Sequence, residues 1–335
     1  YALYRVGVGR GVSGRILQGS TVGVALGATA TTGNILYRSV VPVSVTSSFT
    51  TSQNNADIYL NNTNAFTGAV SLNTTGSSGH AIVDNGITAL NLAASSVGGY
   101  LTLTSGHASG ITDSGTVTVG GNLAATTDAN NGVINLGTLA VDGTIALATN
   151  GNGAATVVND AGLNFAASTV RGNLAATATT GNIVDSGVLT VAGTSSFTTS
   201  ANNADITLNN TNAFTGTVAL NTSGSGNALI DNGITALNLA TSTVGGNLTL
   251  TSGHYIIDSS TVTVGGNLVA TTDAANGSIH MDGLRVDGTV QLTTNGTGNA
   301  TVGNDTGLNF GNATVGGKPV YYTPLHPPTT HAGEH

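Results

Sequence analysis

Fifteen acidic side chains, seven lysines and arginines and seven histidines carry the reactive chemistry of this 335-residue chain, which has no cysteine. The aspartates recur in turn-like triplets, Asp84-Asn85-Gly86, Asp113-Ser114-Gly115, Asp160-Ala161-Gly162, Asp185-Ser186-Gly187, Asp231-Asn232-Gly233 and Asp305-Thr306-Gly307. An Asp carboxylate bonds backbone two residues on, and Gly supplies positive φ, so these triplets read as turns. Calcium would need several oxygens converging in one loop, and the GGxGxD pattern of calcium-binding repeats does not occur. Asp113, Asp185 and Asp258 are expected to cap equivalent turns and to bind no metal.

Sugar hydrolysis or elimination would need paired carboxylates, or a metal beside a basic group. Between residues 21 and 317 the cations are Arg38, Arg171 and Arg285. Arg285, between Asp282 and Asp287, makes the densest cluster and reads as a neutralised surface patch. His107 and His254 stand in matching Ser-Gly-His contexts without matching acids, so they read as turn residues; His326, His331 and His335 lie in a Pro-rich tail. No catalytic residue, metal ligand or cofactor site is expected, and the chain is expected not to be an enzyme. Asn-x-Ser/Thr sequons, among them Asn61, Asn73, Asn209, Asn221 and Asn247, would carry glycans only if the source glycosylates exported Asn.

The elements that must position these residues are strands. Hydrophobic residues make up 39% of the chain and charged residues 7%, with 49 Gly, while Lys, Glu and Met occur once each. Helix formers are scarce, and Thr, Val, Ser, Asn and Gly suit many short strands with tight turns. A net charge of −8 without a basic stripe argues against nucleic acid, and no apolar run reaches the ~18 residues of a membrane span.

Self-similarity is the strongest signal. TSSFTTSQNNADIYLNNTNAFTGAVSLN from Thr46 returns as TSSFTTSANNADITLNNTNAFTGTVALN from Thr194. A shorter period is marked by Val22, Val43, Phe66, Val97, Val119, Val141, Val170, Val191, Phe214, Val244, Val264, Val286 and Val315. Most neighbouring markers stand about 22 residues apart, the length of a short solenoid repeat. The intervals Phe66 to Val97, Val141 to Val170, Phe214 to Val244 and Val286 to Val315 are longer, and the second half of the series repeats the first. A unit of about 22 residues cannot bury its own apolar row, but stacked coils can. The expected fold is all-β, a right-handed parallel β-helix of about twelve three-stranded coils in two supercopies of six. The domain boundaries expected are a strand-like flank over 1–20, a solenoid over 21–317 divided at 169/170, and a Pro-rich tail over 318–335. The long coils are expected to carry an extra excursion, for example Asn73 to Asn85 and Asn150 to Asp160. Marker residues and the Leu or Ile two to four positions later, such as Leu101, Leu123, Ile145, Leu174, Leu248 and Leu268, should form the core.

These coils, with their VGGNL, TTGNI, DSG and LTVAG phrases, resemble the repeat regions of bacterial filamentous-haemagglutinin-like exoproteins and autotransporter adhesins from Thr21 to about Gly317. The resemblance implies a secreted or cell-surface protein whose shaft presents adhesive surface; the Asn-Pro-Asn motifs of their secretion domains do not occur.

The function expected is therefore that of a non-enzymatic extracellular structural or adhesive protein. Surface carbohydrate and host or matrix components are candidate partners, and so is the chain itself. Val22 and Val315 are equivalent positions of the long repeat, so head-to-tail stacking would preserve its phase. Tyr1, Tyr4, Val22, Val315, Tyr321 and Tyr322 are the candidate subunit contacts. The alternatives are a polysaccharide lyase or hydrolase, an ice-binding face, for which Thr-x-Thr pairs do not recur at one position in every coil, and a fragment of a longer exoprotein.

Overall fold

The computed structural model describes residues 4–7, 23, 25–37, 39–305 and 307–322, with side chains of 4–7 and 322 left aside. It is a parallel β-solenoid of about fourteen turns, without helices among the described residues. Two long ladders run along it, one of 20 and one of 16 strands, and every named pairing is parallel. In the smaller ladder thirteen strands follow in succession from Ile35–Leu36 to Val290–Asn295, and Phe310 bridges onto Val290 as a further level. At ~4.8 Å per turn, fourteen turns span about 67 Å.

Strict alternation builds the core. Leu101–Ser105 and Leu248–Ser252 bury every second residue, with Thr turned outward. Thr and Val tolerate the pleat, and a side chain buried on stacking contributes about 1.5–3 kcal/mol. The described markers from Val43 to Val286 are all at most 2% exposed, and so are Leu101, Leu123, Ile145, Leu174, Leu248 and Leu268. Phe49 meets Phe66 edge-on at 5.6 Å, and Phe197 meets Phe214 at the same distance, so the second copy preserves even the ring packing.

The structure corrects the number of coils from twelve to about fourteen. Val97, Val119 and Val141 pair in the larger ladder, Val170, Val191 and Phe214 in the smaller, and Val244, Val264 and Val286 in the larger again. Each of the long intervals between markers is therefore one and a half turns, and the markers change sides across it. The segments expected to be excursions hold regular strands instead, Ala81–Asp84 and Ala155–Asn159. The working unit is three and a half turns, so a supercopy contains two units and seven turns.

Each turn has one straight strand opposed to a bent side of two short strands, and the two sides exchange roles once per unit. At the exchange a single strand lies under a bent pair: Val70–Thr75 pairs with both Leu90–Leu92 and Ser95–Val97, and Thr217–Ser223 with both Leu237–Leu239 and Ser242–Val244.

Strand pairing reaches past the boundaries drawn at 20 and 318. Tyr4–Gly7 pairs with Leu26–Ala30, and Pro319–Tyr322 with the strand from Ala300. Tight stacking at the corners explains part of the glycine content: a Cβ on Gly98 or Gly245 would collide with the carbonyl oxygen of Gly76 or Gly224 one turn below.

Candidate functional site

Corners, rather than a cleft, hold the polar chemistry. Asn55, Asn131, Asn203 and Asn276 adopt positive φ of 61° to 66°, one in each unit, a conformation that Asn tolerates through local hydrogen bonding. Their Oδ1 atoms accept the backbone N–H of the next turn, from Ser78, Asn152, Ser225 and Thr297. Thr51, Thr127, Thr199 and Thr272 close the same corner by donating to the carbonyl five residues on, at 2.9 to 3.0 Å.

A second set lies inside. Asn85, Asn159, Asn232 and Asn304 are at most 1% exposed. Each Oδ1 accepts the N–H of a marker, Phe66, Val141, Phe214 or Val286, at 2.7 to 2.8 Å, and each Nδ2 donates to the same marker's carbonyl. The amide thus acts as a short piece of strand where the straight side cannot pair with all of the bent side beneath it. In sequence, Asp84-Asn85-Gly86 and Asp231-Asn232-Gly233 look like ordinary turns, and nothing in the triplet marks the amide as internal. The exchange of sides is what buries it.

The aspartates expected to cap turns act between turns. Asp113 accepts the N–H groups of Gly137 and Thr138; Asp258 accepts those of Asp282 and Gly283; Asp185 accepts those of Asn209 and Asn210 and is bonded by Asn212 Nδ2 at 2.7 Å. Burial raises the Asp258 carboxyl above the usual carboxylate range, against the lowering effect of its two backbone donors. Arg285 does not bridge Asp282 and Asp287 but pairs through Nε with Asp305 one turn on, at 2.7 Å, in an exposed setting. His107 Nδ1 accepts the N–H of Ser109, and His254 packs edge-on against Tyr255 at 4.0 Å. Among the described residues no group of three or more His, Asp or Glu is placed to hold a metal ion.

The subunit-contact candidates fall into two groups. Tyr1 and Val22, like His326, His331 and His335, lie outside the described residues. Tyr4 pairs with Leu26 and Tyr322 with Gly303 in the terminal strands, Val315 packs half-buried on the core, and the exposed Tyr321 ring lies 4.3 Å from Phe310. Of the sequons, Asn61, Asn209 and Asn247 are exposed, and Asn73 and Asn221 half-buried. The sequon at Asn304 is buried and bonded to Val286.

One corner column departs from its own repeat. In the second supercopy Asp205 Oδ1 accepts from Asn227 N–H, Asn227 from Asn247 N–H, and Asn247 from Asn267 N–H, at 2.7 to 2.8 Å. In the first, Asp57 accepts from His80 N–H at 2.8 Å and His80 Nδ1 from Tyr100 N–H at 3.0 Å. His80 and Tyr100 stack at 3.7 Å with 15° between their planes. Tyr59, which stands at the position of Thr207, donates its hydroxyl to Asp57 at 2.9 Å. Burial pushes that hydroxyl up to about 12, helped by the Asp57 carboxylate and by Tyr100. Beside it lies a shallow depression of about 300 Å³ lined by Leu36, Tyr37, Tyr59, Asn61 and Asn62.

Continuous parallel ladders, side-chain corner bonds and a recurring unit of three and a half turns define a β-solenoid repeat protein. The sequence repeats described as "Repeats of unknown function (DUF5649)" match residues 11–73, 78–138, 151–221 and 225–293. The chain belongs to this repeat family, and its four matches follow the four three-and-a-half-turn units. No curated protein and no solved structure matches the chain.

Proposed function

We propose that the chain is a non-enzymatic structural or adhesive shaft of the cell exterior, built to stack head to tail with copies of itself. The observation that carries this reading is the internal joint between the two seven-turn copies. There Ala155 N–H donates to Asn173 O and Leu174 N–H to Thr194 O, both at 2.8 Å, so one copy continues into the next through ordinary ladder bonds. A joint between molecules needs no other chemistry. The in-phase contact lays the neighbour's Leu26–Ala30 strand on the Ala300–Asn304 strand, as Leu174–Ala178 lies on Ala155–Asn159.

Pro319–Tyr322 fills that slot within the same chain. Pro319 also lacks the N–H that Leu26 and Leu174 donate forward, to Thr46 and Thr194, which blunts the strand as an edge. Tyr4–Gly7 covers the facing edge of Leu26–Ala30 in the same way, so stacking displaces both terminal strands, and the contact is heterologous and open, the geometry of a filament. Exterior location is supported by the likeness of the VGGNL and TTGNI coils to exoprotein repeats. The test is sedimentation velocity over a concentration series, on the full chain and on residues 21–317. Species growing with concentration are expected in both, and more readily in the truncated chain. Strictly monomeric behaviour of both would overturn the reading.

A further inference from the structure

The two supercopies differ in ring content on four successive turns, where His80 and Tyr100 follow Asp57 along one corner, Tyr59 stands two residues on from Asp57, and Tyr37 packs inward one turn before it. Tyr37, Tyr59, His80 and Tyr100 stand where the second copy has Asp185, Thr207, Asn227 and Asn247. The second copy acts as an internal control: its Asn side chains make the same ladder bonds at equal or shorter distance, so the fold does not require the rings. The rings also leave apolar surface in water, with Tyr100 36% exposed although stacked on His80. Tyr37, edge-on to Phe49 at 5.5 Å, has a buried hydroxyl without a partner and lines the depression that Tyr59, Asn61 and Asn62 complete.

We propose that this corner is a binding site for a neutral, hydroxyl-rich glycan, the adhesive surface of the shaft; the inference rests on the non-enzymatic reading above. Aromatic rings carry a negative face and a positive edge, so they pack against the C–H surface of a pyranose. Around them stand the groups that pair with sugar hydroxyls: the Asp57 carboxylate, the phenol oxygens of Tyr59 and Tyr100, and the Asn61 and Asn62 amides. A few convergent polar groups beside apolar surface are the usual makings of a small-ligand site. Among the described residues the carboxylate there is that of Asp57, which disfavours an anionic polysaccharide. Successive turns repeat along the axis, so the site extends as a strip suited to a chain of sugars rather than to one compact molecule.

The variant Tyr59→Thr/His80→Asn/Tyr100→Asn rewrites three of the positions as the second copy has them, and should fold with an unchanged circular dichroism spectrum. The reciprocal variant Thr207→Tyr/Asn227→His/Asn247→Tyr should build a second site. Titration calorimetry and tyrosine fluorescence, in a chain without Trp, are read with cellopentaose, mannopentaose and tetragalacturonate. At least one neutral pentasaccharide should bind the unaltered chain at 1:1, and tetragalacturonate should not. The first variant should bind at least tenfold more weakly, and the reciprocal variant should raise the stoichiometry to two. Absence of binding to both neutral probes, or equal binding by the first variant, would overturn the proposal. Sedimentation of the same samples separates the two readings: filaments without binding count against the site alone, and binding without filaments against the stacked shaft alone.

Discussion

The two seven-turn supercopies are the same scaffold written twice, and they diverge where a side chain has no structural duty that another could not meet. Phe49 and Phe66 in one copy and Phe197 and Phe214 in the other keep one packing distance. Asn85 and Asn232, at matching positions of the two copies, make the same four kinds of bond. By contrast the outward column Asp57, His80, Tyr100 has drifted from Asp205, Asn227, Asn247 in ring content while keeping its ladder bonds. Inside a stacked coil each position is held by the turn above and the turn below, so a change there is felt three times. On a corner only the acceptor atom is held, and the rest of the side chain is available for another purpose.

Charge placed on the inner row should break both copies. Leu174 stands at the join of the copies, 2% exposed, and Leu174→Asp removes an apolar partner and buries a carboxylate against Ala155 and Ser195. A cost above about 4 kcal/mol is expected from such a burial. Thermal unfolding followed by circular dichroism should show the melting point collapsing, and a near-normal melt would sink this register.

Next in size are the buried amides. Asn85→Leu and Asn232→Leu each strand a marker N–H and C=O, at about 1–3 kcal/mol for each unsatisfied group. If the copies are equivalent inside, the two losses should agree to within about 0.5 kcal/mol in denaturant unfolding, the usual tolerance for independent sites. A cost confined to one copy would show that the repeat is not energetically regular. Thr199→Val removes one corner bond, from Thr199 Oγ1 to Ala204 O, and should cost about 1 kcal/mol, matched by Thr51→Val.

Alkaline pH should separate the copies in the opposite way, because Tyr37 and Tyr59 both belong to the first. Burial raises Tyr37 strongly, and burial with Asp57 raises Tyr59 to about 12. A folded pKa above the unfolded value of about 10 gives stability that is full below pH 10 and falls as pH climbs toward 12, because the unfolded chain releases the proton first. Ultraviolet titration should find late-ionising phenols, and Tyr59→Phe should remove one of them. The smallest effect expected is none at all: adding a chelator should leave the melting point unchanged, since Asp113, Asp185 and Asp258 are engaged with backbone N–H groups of the next turn. A clear drop would assign a bound cation to those turns.

Much of the fold was legible because the inner row is apolar at fixed spacing, and a stacked architecture is the simplest way to bury a row that one coil cannot. The change of sides was not legible. An inward Val reads alike on the straight side and on the bent side, so the long interval between Phe66 and Val97 looks like a coil with a loop rather than a coil and a half. The internal Asn residues were hidden for a related reason, since Asn85 and Asn232 before Gly, and Asn159 and Asn304 before Asp, have the common composition of an exposed turn. Among the histidines, His107 and His254 drew attention by their repetition, whereas His80, with Tyr100 of the corner column, matters by its failure to repeat. That signal was present in the alignment of the two copies, where Tyr59 faces Thr207 and Tyr100 faces Asn247.

The stacked shaft is tested most directly by cryo-electron microscopy of the concentrated protein. Unbranched filaments are expected, with a subunit repeat of about 67 Å, fourteen turns at ~4.8 Å each, and an uninterrupted strand ladder through every joint. Separate rods of about that length at every concentration would contradict it.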